Sequence, residues 1–286
     1  EDMSLRSILR SPHSAMLSLY RYLFKVKGVR AKDCLKLLFT PLNYLVHLGT
    51  PGFMGYHIPG SEVVLIRTWD DFLFVVRPKA PDLEYATLIP EYYELIKWFL
   101  PNVSEVVIDV GANVGGYTVR ACKQAKIVIA IEPQREVFKL LKLNTNINCE
   151  GKAKVILLNK AVGDRQGIAY LEIPKDEMYE YAGGASIVRR YSSSRRESIE
   201  IDTLDNIIDS LGLNIETIDL IKIDIEGAEA IAFKGMIRTL NKARRVMIEI
   251  SDGNEWLVGE FIKLGFKLVE RRRRNYFFVK NTESFG

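Results

Sequence analysis

Four acids stand where a charge is costly. Asp109 follows a run of apolar residues inside "VVIDVGANVGGYT" (106–118). Glu132 closes "KIVIAIE" (126–132), 23 residues further on. Asp224 and Glu226 close "IDLIKIDIE" (218–226). A carboxylate at the end of a buried strand loses water and needs a partner. Beside Asp109 stand Gly111, Gly115 and Gly116, which weaken a strand but let a backbone approach a ligand closely. A helix that opens directly after them offers unpaired N–H groups.

The spacing narrows the ligand. The dinucleotide fingerprint is GxGxxG, whereas this turn reads Asp109-x-Gly111-x-Asn113-x-Gly115-Gly116. A carboxylate there repels a pyrophosphate and attracts a cation. S-adenosylmethionine, with a sulfonium and an ammonium, suits such a turn. Glu132 is placed to accept both ribose hydroxyls, as the acid about 20 residues on does in dinucleotide sites. The structural alternative makes Asp109 a helix cap and Glu132 a surface acid. Asp224 and Glu226 lie two apart, so on a strand they face one side. There they would serve as a general base or position an acceptor. The alternative is that one caps the next helix, with Glu229 in its first turn. Glu249 and Asp252 after the fifth strand, and His57, are further candidate bases.

Strands and helices must position these groups. From about residue 104 the chain alternates apolar runs with helical segments. Strands are expected at 105–110, 126–132, 152–162, 218–226 and 244–250, with helices between them and Pro133 early in the second. "FKLVERRRRNYFFVK" closes the chain as two strands around a turn. Alternation of this kind argues an α/β fold with a mostly parallel sheet covered on both faces. Residues 163–202 break the rhythm as a polar, mobile excursion between two strands. The expected division is an N-terminal helical and hairpin appendage over 1–100, with its hairpin at 62–78, and a cofactor-binding domain over 101–286.

Composition excludes some classes. The 286 residues are 48% hydrophobic and 27% charged, ordinary for a globular protein. A net charge of +4 is too weak to argue for nucleic acid by itself. Cys34, Cys122 and Cys149 are too few for a disulfide framework, and a reducing cytosol is the simplest compartment. Three histidines, none in ligand spacing, argue against a His-rich metal site, and no metal is expected. No apolar run is long enough to span a bilayer. Residues 14–49 are rich in Leu, Tyr and Phe at helical spacing. Their basic residues include Arg21, Lys25, Lys27, Arg30, Lys32 and Lys36, against a lone Asp33. They read as the core of an N-terminal cap or as a basic surface lying on a membrane. Arg189, Arg190, Arg195 and Arg196 could clamp a phosphate or acidic sugar. "ERRRRN" (270–275) is a solvated turn or, less simply, a nucleic-acid patch.

These blocks resemble the FkbM family of class I S-adenosylmethionine-dependent methyltransferases. The resemblance rests on "VVIDVGANVGGYT", "IEPQ" (131–134), "NKAVGDRQG" (159–167), "IDTLDNII" (201–208) and "IDLIKIDIEGAEAIAFKGM" (218–236), and spans about residues 70–280. It implies a Rossmann-like sheet of seven strands with a closing antiparallel hairpin. It also implies methyl transfer to the oxygen of a sugar, glycolipid or small molecule. Carried over by position, Asp109, Gly111, Asn113 and Gly115 would line the methionine half of S-adenosylmethionine. Glu132 would hold the ribose, and Asn159, Ala161 and Val162 would flank the adenine. An RNA methyltransferase and a non-catalytic cofactor-binding subunit remain the rival readings.

Overall fold

The computed structural model describes residues 26–46, 58, 62–78, 80, 82–83, 85–87, 104–174 and 184–281. His57 and the outer parts of the 14–49 segment lie outside them. The chain divides into two compact units, one through Pro90 and one from Glu91.

In the first unit, β1 (Lys27–Gly28), β2 (Val64–Arg67) and β3 (Leu73–Val76) form an antiparallel sheet in that order. The hairpin falls within 62–78, as expected. Alternation fixes its faces: Val64 and Ile66 are buried and Arg67 is exposed. Thr68 closes the turn, its backbone N–H donating to the Phe72 carbonyl and its Oγ1 accepting from the Phe72 N–H. α1 (Ala31–Val46) precedes the hairpin.

The second unit is built on seven strands: β4 (Ser104–Val110), β5 (Ala125–Ile131), β6 (Lys154–Leu158), β10 (Ile218–Ile223), β11 (Ala243–Glu249), β12 (Phe266–Arg272) and β13 (Asn275–Lys280). Their order across the sheet is β12-β13-β11-β10-β4-β5-β6. Five run parallel, and β13 lies antiparallel between β11 and β12. This is the Rossmann-like class I methyltransferase sheet with its closing hairpin. The connecting helices are α2 (Gly116–Ala121), α3 (Arg135–Cys149), α4 (Leu204–Ser210), α5 (Glu229–Phe233), α6 (Ile237–Asn241) and α7 (Leu257–Lys263). The β10 stretch is buried at every position, which is why it reads as a continuous run and not an alternation. Its core includes Ile108, Ile129, Ile221, Ile223, Val246 and Phe261.

Several expectations shift. The third strand, expected over 152–162, is two: β6 ends at Leu158, and β7 (Ala161–Val162) joins a separate sheet of order β7-β9-β8. There β8 (Gly167–Pro174) and β9 (Ser194–Asp202) pair antiparallel, so Arg195 and Arg196 belong to a strand and not to the excursion. Pro133 stands before the Gln134 N-cap, not inside the helix. The single helix expected between the fourth and fifth strands is two, α5 and α6. At the break a Cβ on Gly235 would lie 2.2 Å from the Gly163 carbonyl oxygen. Asp205 then binds the free N–H groups of Arg238 and Thr239. The cysteine reading is overturned. Cys122 and Cys149 form a disulfide between the ends of α2 and α3, and Cys34 is free and exposed. Their separation of 27 residues carried no sequence signal, because the pairing depends on the two helices packing side by side. The disulfide also removes the ground for a reducing compartment. No described helix is long and apolar enough to cross a membrane.

Candidate active site

The site gathers at the carboxyl ends of β4, β5, β10 and β11, the edge where open α/β sheets bind ligands. Parallel register sets its first contact. Lys222 on β10 stands opposite Asp109 on β4, and both point to one side. Lys222 Nζ lies 3.3 Å from Asp109 Oδ1 and 3.6 Å from Asp224 Oδ2, and donates to the Gly111 carbonyl at 3.0 Å. Burial opposes the lysine's charge, but Asp109 and Asp224 outweigh it and hold its pKa above the ordinary value. Asp109 is fully buried. Its Oδ2 accepts from Thr118 Oγ1 at 2.6 Å, while Oδ1 lies near Lys222 without a hydrogen bond.

The glycine turn is stitched to β5. The Gly111 and Ala112 N–H groups both donate to the Ile131 carbonyl. Gly111 has φ 80, and a Cβ there would stand 1.8 Å from the Asp224 carbonyl oxygen. Only glycine meets both demands. Gly115 (φ 91) precedes α2, and Asn113 (φ 51) adopts a left-handed conformation that asparagine tolerates. The Asn113 N–H donates to Glu132 Oε2, and the Gln134 N–H to Oε1. Glu132 is buried, which raises its pKa to about 7 against the pull of these two donors and Lys222. Each of its oxygens keeps a free lone pair. Asn159 Nδ2 donates to the Glu132 and Pro133 carbonyls, tying the end of β6 to the same corner.

Asp109, Gly111, Asn113, Gly115, Glu132 and Asn159 are therefore brought together. Ala161 and Val162 pair with Ile201 and Asp202 and are buried in two different apolar clusters. The residues present suit S-adenosylmethionine. A buried carboxylate oxygen lacks a hydrogen bond, a glycine cradle lies beside it, and a carboxylate with spare acceptor capacity sits one strand away.

Asp224 and Glu226 also meet, but not by strand alternation. β10 ends at Ile223, and Glu226 sits in a turn with φ 51. Register brings in Glu249, because Ile223 pairs with Ile248 at the ends of β10 and β11. Carboxylate oxygens of Asp224, Glu226 and Glu249 lie within 4.8 Å of one another. Burial raises Glu249 to about 8, reinforced by the Asp224 charge and a hydrogen bond with it. Burial and Asp224 raise Glu226 to about 7, opposed by Arg189. Such a group can share protons, take one from a substrate, or hold a divalent cation.

Sequence reasoning missed Lys222, Gln134 and the role of Arg189. Lys222 had a signal, a lone lysine inside an apolar strand between two acids. Gln134 is fully buried with both amide atoms unpaired and had none. Arg189 pairs with Glu226 (2.7 Å) and donates to Ser251 Oγ. Ser186 Oγ donates to the Glu226 carbonyl from the same segment. The other arginines are also engaged: Arg190 and Arg196 with Glu172, Arg195 with Glu197. At the "ERRRRN" turn, Arg272 pairs with Glu270 and Arg274 with Asp252. Asp252 is thereby held below the usual carboxylate range.

The antimetabolite synthetase AmbE of Pseudomonas aeruginosa is 27% identical in a match covering 51% of this chain and 8% of that protein. The FkbM methyltransferase structure from Methylobacillus flagellatus is 20% identical with a TM-score of 0.41, covering 66% of this chain and 49% of that one. The TYW2 structure from M. jannaschii, solved with AdoMet, is 15% identical with a TM-score of 0.38, covering 78% and 86%. The methyltransferase FkbM domain matches residues 109–276, more than half of the chain. With the glycine turn, both acids and the β10 block inside that match, the chain belongs to the FkbM methyltransferase family.

Proposed function

We propose that this protein is an S-adenosylmethionine-dependent methyltransferase acting on a hydroxyl of a sugar, glycolipid or small molecule. The cofactor, when bound, supplies an electrophilic methyl group. Asp109 would face its cationic end, Glu132 its ribose hydroxyls, and Asn159 would hold the Glu132 corner in place. The observation that carries the acceptor assignment is the Asp224–Glu226–Glu249 cluster. Sugar hydroxyls are poor acids and need a base as the new bond forms. A carboxylate near pKa 4 is a weak base at neutral pH, whereas groups raised to about 7 and about 8 are matched to the task. The hydroxyl proton passes to this cluster. Lys222 fixes Asp224 and Asp109 together, and Arg189 orients Glu226.

The internal pairing of the arginines supports a hydroxyl acceptor over RNA, since Arg190, Arg195, Arg196, Arg272 and Arg274 all meet carboxylates. The test is incubation with methyl-labelled S-adenosylmethionine and fractionated cell material. Label is expected in glycan, glycolipid or small-molecule fractions. Label confined to RNA would overturn the acceptor class. Calorimetric binding of the cofactor without labelling of any fraction would favour a non-catalytic subunit.

A further inference from the structure

α1 carries an apolar stripe on the side away from its packing. Asp33 and Leu37 are buried against the unit. Leu35, Leu38 and Phe39 are 58%, 68% and 54% exposed, and Ala31 is exposed with them. At 100° per residue these four positions share one side of the helix.

Lys32 follows the stripe's edge and Lys36 stands one turn further on, both joined to Glu62 at 2.9 and 3.6 Å. Exposed Lys27 and Arg30 precede the helix. Among the described residues, Arg30 pairs with the buried Asp33, and Lys32 and Lys36 share Glu62. The helix is thus held through Asp33 and Leu37, presents Leu35, Leu38 and Phe39 outward, and is bordered by basic residues.

We infer that α1 lies in the interface of an anionic membrane, with Leu35, Leu38 and Phe39 inserted and Lys27, Arg30, Lys32 and Lys36 at headgroup level. Leucine and phenylalanine on one side and lysine beside them is the composition of helices that lie in a bilayer surface. Basic residues near an anionic surface add attraction that salt screens. A second copy of the chain is a poorer occupant. A two-fold contact through this stripe would bring two sets of these lysines into one interface, where lysine is depleted.

The test is flotation of the full chain with vesicles of phosphatidylcholine containing 30% phosphatidylglycerol, alongside pure phosphatidylcholine. Flotation is expected with the anionic vesicles at low salt, falling at least tenfold in 0.5 M NaCl or without the anionic lipid. Leu38→Glu with Phe39→Glu should abolish it, and Lys32→Gln with Lys36→Gln should weaken it severalfold. Thermal melting should be unchanged in the Leu38/Phe39 variant, because both of those side chains are exposed. Three results would overturn the inference: no flotation, flotation insensitive to these substitutions, or a lowered melting temperature in the Leu38/Phe39 variant, which would mean the chain itself covers the stripe. A dimer seen by sedimentation and broken by the same variant, without vesicle binding, would assign the stripe to a second copy.

Discussion

The two halves of the site treat their carboxylates differently. On the cofactor side, Asp109 faces Lys222 and Thr118, and Glu132 receives two backbone N–H groups. All of these partners come from the chain itself. On the acceptor side, Asp224, Glu226 and Glu249 crowd one another within 4.8 Å, with Arg189 on one edge and Lys222 on the other. In the function proposed above, the first half holds ligand groups by hydrogen bonds and the second holds protons near neutral pH. Binding and chemistry should then be separable by mutation, although Lys222 links them.

The largest effect should come from the acceptor side. Glu249→Gln and Asp224→Asn preserve shape and remove a proton acceptor. Turnover is expected to fall 10²–10⁴-fold, the usual contribution of general base catalysis. Cofactor affinity, read by calorimetry, should stay within about threefold, under 1 kcal/mol. A large loss of cofactor binding in Asp224→Asn would move that residue to the other half. Turnover lost on chelation and restored by a divalent cation would turn the three carboxylates from base into ligands.

A smaller effect belongs to the cofactor side. Glu132→Ala removes an acceptor for two hydroxyls and should weaken cofactor binding by about 1.5–3 kcal/mol. Turnover at saturating cofactor should change much less. Equal losses in both quantities would erase the distinction between the halves.

The smallest effect is a pH dependence. Glu132 rises to about 7 through burial, and hydroxyl donors favour its ionised form. Affinity should be full above pH 7 and decline as pH falls through it, by no more than about tenfold per unit. Turnover should rise with pH over about 7 to 8, as Glu226 and Glu249 lose protons. In Glu132→Ala the first dependence should vanish and the second remain. Calorimetry and rate profiles across pH 6–9 separate them.

The same contrast explains what the sequence disclosed. The cofactor half is nearly contiguous, from Asp109 to Glu132, and its glycines and acids are spaced by local turn geometry. The acceptor half is assembled from β10, β11 and the 184–191 segment. Its members meet through parallel register and through a left-handed Glu226 that alternation does not foresee. Asp224 and Glu226 were found for a reason that holds only to Ile223, where the strand stops. Lys222 was legible as an ion in an apolar strand, but its partner Asp109 lies 113 residues earlier. The Cys122–Cys149 pairing and the split of 152–162 between two sheets were hidden for the same reason, since both depend on what packs alongside.

The closing hairpin has a consequence for synthesis. β13 follows β12 in the chain yet lies between β12 and β11 in the sheet. A chain emerging from its N-terminal end presents β11 with an open, apolar edge until Asn275–Lys280 appear and slot in. An unpaired edge of that kind recruits other strands. The outer flank of β11, where Glu249 pairs with Asn275, is therefore covered only once the hairpin has closed.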